Sequence, residues 1–530
     1  MVNVPSYSGK LTEGIVGFPR FINPLLAISD ADRDLTALIY SGLLKATADG
    51  TLVSDLAESY SISENGLTYS FNLKPSITFH DNVPITADDI IFTIGKAQDP
   101  TLKSPKRPNW EGVRVKKIDD RRVEFTLKEP YSSFLENLTL GILPKHIWKN
   151  VDMEQFPFSQ FNVEPVGSGP FKFRNAGRTA TGIPLYYQLK SFSHYAFGQP
   201  FIENFTIRFF QSNKELMTAY ENGAIDNLSG IAPEQAKGLK NKGARVEQSP
   251  LPRIFAVFFN PNFAPVLANK EVRQALETLT NKQLIVREVL AEYGIEIDSP
   301  IPPNLLPSKN NNRDKVMLNE NDRIEKAKKI LTDAKWKWNE SKGVFEKVKN
   351  KKETVSLSFS ISTSNSSELR AVAEMLQQMW QKIGIKVELK FFDIGELNQD
   401  VIRSRKYDAL LFGEIIGRDL DLFAFWHSSQ RNDPGLNVAL YTNTKADKLL
   451  EEARSISVAD KRIEKYRKFE DEVKNDLPAI FLYSPDFLYL ISKNLGGFSI
   501  GQVTTPADRF NSIEKWYTET ERVWKIFSEK

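Results

Sequence analysis

The chain is predicted to be an α/β protein with more than one domain, and three observations support this. Its 530 residues exceed what a single hydrophobic core usually covers. Segments with strand-like alternation and segments with helical spacing follow one another along the chain. The span from Thr354 to Phe392 has the pattern strand, helix, strand, which indicates a parallel pair joined by a right-handed crossover.

The first element predicted in detail is a β-hairpin followed by a helix. Apolar residues occupy every second position from Leu67 to Leu73, as in a half-buried strand, and Asn65-Gly66 is a typical tight-turn pair. Thr86 is placed to cap a helix that runs to Ala97, with aspartates in its first turn. A second hairpin is predicted between Val113 and Leu127, with Asp119-Asp120 at its turn.

The composition excludes several classes of protein. Seventy Lys and Arg balance 67 Asp and Glu, so a net charge of +3 gives no general field for nucleic acid. There is no Cys, which rules out disulfides, thiolate metal sites and cysteine nucleophiles. No apolar run reaches the length of a membrane span, and the N-terminus lacks the regions of a signal peptide.

No motif for catalysis or for a cofactor is present. The four histidines form no HExxH or other close pair of metal ligands, and no G-x-S-x-G elbow indicates a serine hydrolase. The glycine-rich run from Val166 to Phe173 lacks the GKS/T ending of a P-loop and the third glycine of a dinucleotide turn. We therefore predict no catalytic residue, no metal site and no cofactor.

The segment from Leu56 to Asp89 resembles a specific family. Leu56-Ala57-Glu58, Phe79-His80-Asp81 and the run from Pro84 to Asp89 match a phrase that recurs in extracytoplasmic solute-binding proteins, family 5, the peptide, opine and nickel class of ABC importers. Further phrases follow in the family's order from Asn23-Pro24 to Tyr483. The resemblance therefore covers nearly the whole chain.

This resemblance implies a periplasmic-binding-protein-like fold of type II, in its large three-lobe variant. Two main lobes would close on a cleft, and an α/β subdomain would be inserted in the first. Lobe I would comprise residues 1–45, 165–252 and 485–530, the inserted subdomain residues 46–164, and the second ligand-clasping lobe residues 253–484.

The resemblance also implies a function. The chain would be the substrate-binding protein of an ABC importer, capturing short peptides in extended form and delivering them to permease subunits. It would be an extracytoplasmic monomer that is not an enzyme and binds no nucleic acid, with its leader removed and a lipid anchor in the native form. The alternatives are a carrier of nickel chelate, haem or oligosaccharide, and a sensor or adhesin with the same fold.

Candidate ligand-binding residues in the first lobe follow from the same resemblance. Asp30 and Asp32 lie after the Asn-Pro loop that family members place at the ligand, although both fit equally well as charges at a helix N-terminus. Ser229 and Gly230 follow a segment that carries contacts to bound peptide in relatives.

The candidates in the second lobe cluster between Gly413 and Trp426. The resemblance implies a strand that pairs with peptide backbone, and it nominates Glu414, Ile416, Arg418, Asp419, Asp421, Trp426 and Tyr483. Peptide-binding relatives anchor the ammonium group with an Asp just before an acidic-Pro pair, but here Arg418 holds that position and Leu422 replaces the Pro. Asp419 would then reach the amine, or Arg418 would indicate an acidic group on the ligand. Trp426 and Tyr483 fit equally well as cleft walls and as core aromatics.

Overall fold

The computed structural model describes residues 1–303, 305–306, 318–350, 353–456 and 458–524. The strands are, in chain order, β1 (Val2–Pro5), β2 (Lys10–Val16), β3 (Leu44–Ala46), β4 (Leu52–Ser54), β5 (Ala57–Ile62), β6 (Thr68–Leu73), β7 (Arg114–Asp119), β8 (Arg122–Thr126), β9 (Phe171–Arg178), β10 (Pro184–Ser191), β11 (Asn204–Phe210), β12 (Asn227–Ser229), β13 (Arg245–Pro250), β14 (Arg253–Phe259), β15 (Gly294–Glu296), β16 (Lys337–Asn339), β17 (Val344–Asn350), β18 (Glu353–Ser356), β19 (Ser358–Ser364), β20 (Lys386–Phe392), β21 (Ala409–Ile415), β22 (Ala479–Ile491) and β23 (Thr520–Val523).

The α-helices are α1 (Asp30–Ile39), α2 (Ala87–Gln98), α3 (Arg107–Trp110), α4 (Phe134–Asn137), α5 (Lys145–Trp148), α6 (Asn213–Glu221), α7 (Pro233–Asn241), α8 (Lys270–Leu279), α9 (Lys282–Val289), α10 (Glu320–Asp333), α11 (Ser367–Gln381), α12 (Ile394–Glu396), α13 (Phe423–Trp426), α14 (Thr444–Ser455) and α15 (Ala459–Asp476). Single 3₁₀ turns and a π-helical turn at Leu397–Ile402 connect them.

The chain divides into two compact units, one formed by residues 1–249 and 487–530 and the other by residues 250–486. The chain therefore passes from one unit to the other twice. The three-lobe division stays a prediction, because the contacts of the chain define two units and test no boundary inside the first.

The first unit contains a mixed sheet in the order β9, β10, β11, β2, β12 and the end of β22. Strand β2 pairs in parallel with both β11 and β12. A separate antiparallel sheet in the order β5, β6, β8, β7 lies within the segment predicted as an insertion. Both predicted hairpins are present, as β5–β6 and β7–β8; in the second, Asp119 pairs with Arg122, so the turn lies one residue later than predicted.

A fully buried ionic network ties four elements of the first unit together. The Arg509 guanidinium bonds Glu13 of β2 at 2.6 Å and Asp34 of α1 at 2.6 Å, and the Tyr489 hydroxyl of β22 donates to Glu13 at 2.5 Å. All three charged side chains are inaccessible to water. Removing one member would leave another buried charge unpaired, so the network fixes how these elements pack.

The second unit is built on a sheet in the order β20, β19, β21, β14 and the start of β22. Alternate residues of β14 enter two different cores: Val257 and Phe259 pack with helices such as α8 and α11, whereas Ala256 and Phe258 pack with α14 and α15. Both faces of this sheet are therefore covered, which explains the continuous apolar run of β14. The predicted strand, helix, strand unit is confirmed as β19, α11 and β20, with the strands parallel.

The glycine-rich run after Val166 is a packing motif. A Cβ on Gly167 would lie 2.0 Å from the carbonyl oxygen of Ile39, and one on Gly169 would lie 2.7 Å from the Ile39 carbonyl carbon. These glycines let the chain approach the last turn of α1, where the Gly169 N–H donates to the Ile39 carbonyl at 2.8 Å.

Candidate functional site

In the second unit, strand β21 has one fully paired edge and one partly open edge. All seven of its residues pair with β14, from Ala409 opposite Phe259 to Ile415 opposite Arg253. On the other side, the register with β19 covers only Ala409 and Leu410. Beyond that point the hydroxyl of Thr363 donates to the Leu411 carbonyl at 2.8 Å. Within the described residues, no strand pairs with this edge from Phe412 to Ile415.

The direction of the backbone groups along β21 follows from two hydrogen bonds. The Leu411 carbonyl accepts on the β19 side, whereas the Ile416 N–H donates toward β14, to the Pro252 carbonyl at 2.8 Å. Successive residues of a strand direct their backbone groups to opposite sides. Gly413 and Ile415 therefore direct their N–H and C=O groups toward the open edge, where an extended ligand could pair with them.

The Glu414 side chain is buried on the α14/α15 face of the sheet, where Ile416 also packs in the core. Within the described residues, neither of its carboxyl oxygens has a hydrogen-bond partner, and the Trp426 indole nitrogen also has none. Burial raises the pKa of Glu414 well above its usual range, and the nearby Trp426 indole lowers it by less. Burial of this carboxyl group therefore favours its protonated form.

The loop after β21 pairs its carboxylates with two helices of the same unit. Asp419 pairs with Arg462 of α15 at 3.2 Å, and Asp421 pairs with Arg454 of α14 at 3.1 Å and accepts the Phe423 N–H at 3.1 Å. Arg418 lies at the start of this loop. An amine on the ligand would have to share the Asp419 carboxylate with Arg462. The roles of Arg418, Asp419 and Asp421 in binding stay predictions.

Trp426 and Tyr483 are both fully buried. Trp426 lies in an aromatic cluster with Phe258, Tyr441 and Phe481. The ring of Tyr483 stacks on Phe255 at 4.9 Å, and its hydroxyl donates to Glu368 at 2.8 Å. Both rings therefore have a packing role within their own unit, and a contact of either with ligand stays a prediction.

In the first unit, Asp32 organises the loop before α1. Its two carboxyl oxygens accept the backbone N–H groups of Arg20 and Phe21 on one side and of Ile28 and Ser29 on the other, at 2.7 to 3.2 Å. It also completes a capping box with Ser29. Asp30, by contrast, is exposed and pairs with Arg33 at 3.3 Å. Asp32 thus has a structural role. Of the two aspartates, Asp30 is the one whose carboxylate is accessible to solvent.

Ser229 and Gly230 lie at the end of β12. Ser229 is buried and pairs with Tyr489 of β22. Gly230 is exposed, its φ of +77° lies in the left-handed region, and a Cβ at this position would meet open space. The backbone of Gly230 is therefore accessible, whereas Ser229 is part of the sheet, where it pairs with β22.

The part of the chain that the structure describes has no cluster of side chains suited to bind a metal ion. No three His, Asp or Glu side chains there lie close enough to hold a metal ion. Among the described residues, no helix is both long and apolar enough to span a bilayer.

Comparison with known proteins identifies the family. Residues 51–436 match the family described as bacterial extracellular solute-binding proteins, family 5, middle. This chain belongs to family 5. The predicted fold class and the predicted family are thereby confirmed.

Three family 5 proteins illustrate the similarity. The oligopeptide-binding protein AppA from Bacillus subtilis is 29% identical over 523 residues, covering 97% of this chain and 92% of AppA, and its structure with a nonapeptide has a TM-score of 0.73. The ABC transporter substrate-binding protein CtaP from Listeria monocytogenes is 28% identical with a TM-score of 0.80, over 97% of this chain and all of CtaP. NikZ from Campylobacter jejuni, solved with Ni(L-His), is 27% identical with a TM-score of 0.74, over 97% of this chain and all of NikZ.

Membership of family 5 settles the coarse function: such proteins are extracytoplasmic and bind solutes for transport. Sequence reasoning did not find three residues that shape the candidate site. Thr363, which ends the pairing of β21, and Arg454 and Arg462, which pair with the loop carboxylates, carry no motif. Only their tertiary contacts reveal their roles.

Proposed function

We propose that this chain is the peptide-capturing component of an ABC importer, and that it binds short peptides in extended form along the open edge of β21. The single observation that carries this proposal is that Gly413 and Ile415 direct their backbone groups to an edge of β21 that no strand covers in the described part of the chain. A peptide of any sequence offers N–H and C=O groups at the matching repeat, so pairing there gives affinity without reading side chains. AppA, named for oligopeptides and solved with a nonapeptide, supports the ligand class.

The accompanying features of the proposal follow from the family. The bound peptide would be delivered to permease subunits, the chain would act as a monomer without catalytic activity, and a lipid would anchor the native form. Asp419 would contact the peptide amine only by sharing its carboxylate with Arg462, which lies 3.2 Å away. Asp30, exposed on the other unit, is the carboxylate with the fewest competing partners among the candidates there.

The ligand class is tested by native mass spectrometry of the purified protein and by calorimetry. We expect short peptides to be released from the protein, and mixed-sequence peptides up to a nonapeptide to bind with saturation. Nickel–histidine, the ligand in the NikZ structure, serves as the comparison. Binding of nickel–histidine, haem or an oligosaccharide with no binding of peptides would overturn the proposal.

A further inference from the structure

A second concave site lies in the unit of residues 250–486, where β14 ends and β21 begins. It is a cavity of about 260 Å³ lined by Asn260, Asn262, Phe263, Arg405, Arg431, Asn432 and Leu440. The cavity lies at the Ala409 end of β21, whereas the open edge begins at Phe412, three residues or roughly 10 Å further along the strand. It is thus distinct from the proposed peptide site.

Arg405 is fixed at the wall of this cavity by its own hydrogen bonds. Its guanidinium donates to the backbone carbonyls of Ile402, Arg431 and Gly435 at 2.6 to 2.9 Å. The buried side chain of Asn260 holds the Arg405 carbonyl at 2.9 Å. Arg405 also has a φ of +56°, a conformation that costs a residue with a side chain about 1 kcal/mol or more. The surrounding contacts therefore hold an unfavourable backbone conformation that orients this guanidinium.

Arg431 adds a second cation. Its guanidinium donates to the Ser428 carbonyl at 3.2 Å and to the Thr442 hydroxyl at 3.0 Å. All the described partners of Arg405 and Arg431 are neutral oxygens, and neither pairs with a described carboxylate. The nearby Asp433 pairs instead with Arg403, at 3.7 Å.

The two guanidiniums still have hydrogen-bonding capacity. Arginine has five N–H donors, and the contacts described use three on Arg405 and two on Arg431. The Asn262 and Asn432 amides line the same space. Two positive charges with several unused donors in one cavity favour an anion with several oxygens, because charge-assisted bonds from arginine are the strong ones.

We propose that this cavity binds a small tetrahedral oxyanion, of the phosphate type. A carboxylate presents only two oxygens, whereas phosphate presents enough acceptors for both guanidiniums, and the cavity is large enough for it. The site is independent of peptide capture and goes beyond the proposed function. The same phosphate chemistry occurs in free phosphate and in the headgroup of an anionic lipid.

The test is calorimetric titration of inorganic phosphate into the full chain, at constant ionic strength in a buffer free of phosphate and sulfate. We expect saturable binding that is weakened about tenfold or more by Arg431→Gln, which removes one cation. Arg287→Gln is the matched control, because Arg287 is exposed, pairs with Glu288 and removes the same charge elsewhere in this unit. It should bind phosphate as the unchanged protein does.

A second variant keeps the test decisive if Arg431→Gln unfolds. Asn432→Asp places a carboxylate on the cavity wall at an exposed position and should also weaken binding about tenfold. Sedimentation with phosphatidylglycerol vesicles, against phosphatidylcholine vesicles, distinguishes a lipid headgroup from free phosphate. Absence of saturable binding in both formats, or equal losses in Arg287→Gln and in the cavity variants, would overturn the proposal.

Discussion

Asp55 is a buried carboxyl group of the first unit with an unusual environment. One of its oxygens has no hydrogen-bond partner among the described residues, and the side chain is almost fully shielded from water. Burial raises the pKa of Asp55 to about 6, although Lys45, Ser41 and Lys74 lower it in part. The native state therefore binds this proton more tightly than the unfolded chain does.

This pKa has a consequence for stability as the pH changes. Because the folded pKa lies above the unfolded value, the contribution of Asp55 to stability is full below about pH 4 and falls as the pH rises to about 6. Asp55→Asn lacks this titration. The unfolding free energy of the variant relative to the unchanged protein should be higher at pH 8 than at pH 4, by up to about 3 kcal/mol. Urea unfolding at both pH values measures it, and a difference that is independent of pH would contradict the assignment.

Single residues also show where sequence reasoning reaches its limit. Asp30 and Asp32 are two positions apart and looked equivalent, yet one is exposed and the other accepts four backbone N–H groups. Asp419 was predicted to reach the amine of the ligand, and its partner Arg462, 43 residues further along the chain, could not be anticipated from the sequence. Periodicity and capping rules are local, so they cannot supply such partners.

At the scale of elements, the loop and cap at the start of α1 depend on Asp32. Asp32→Ala would leave the N–H groups of Arg20, Phe21, Ile28 and Ser29 without their acceptor, so we expect a loss of about 1–3 kcal/mol. Asp30→Ala is the control on the same helix, and its exposed pair with Arg33 should contribute less than about 1 kcal/mol. Thermal and urea unfolding compare the two variants. Equal losses would show that Asp32 does not organise this segment.

Elements with a strong local pattern were predictable, and elements set by tertiary context were not. The helix capped by Thr86 begins at Ala87 as expected, because its cap and apolar face are both local signals. The sequence from Tyr131 to Leu140 also predicts a helix, but only one turn forms, Phe134–Asn137. The apolar run from Pro478 to Tyr483 predicts a last strand, but β22 continues to Ile491. Its residues Tyr489 and Leu490 pair with β12 within the first unit, which no local pattern indicates.

At the scale of the whole molecule, the sequence predicted the family and fold, and the structure adds the division of the chain into two compact units. The run from Pro84 to Asp89, which carries part of the family resemblance, is structural in this chain, because Thr86 and Asp89 form the capping box of α2. Ligand choice is predicted to depend instead on the loop after β21, where Arg418 and Leu422 depart from the pattern that the resemblance implies. The sequence therefore predicts that the protein binds a solute more firmly than it predicts which solute.

The central claim is that a peptide pairs with the backbone of Gly413 and Ile415, and calorimetry with N-methylated peptides tests it most directly. The peptide that binds best is compared with versions methylated at one backbone nitrogen each. Ile415→Pro removes an N–H that β14 does not use, and Ile415→Val retains it. We predict that methylation at alternate positions and Ile415→Pro each weaken binding about tenfold, whereas Ile415→Val does not. Equal affinity for every methylated peptide, together with unchanged binding by Ile415→Pro, would contradict the claim.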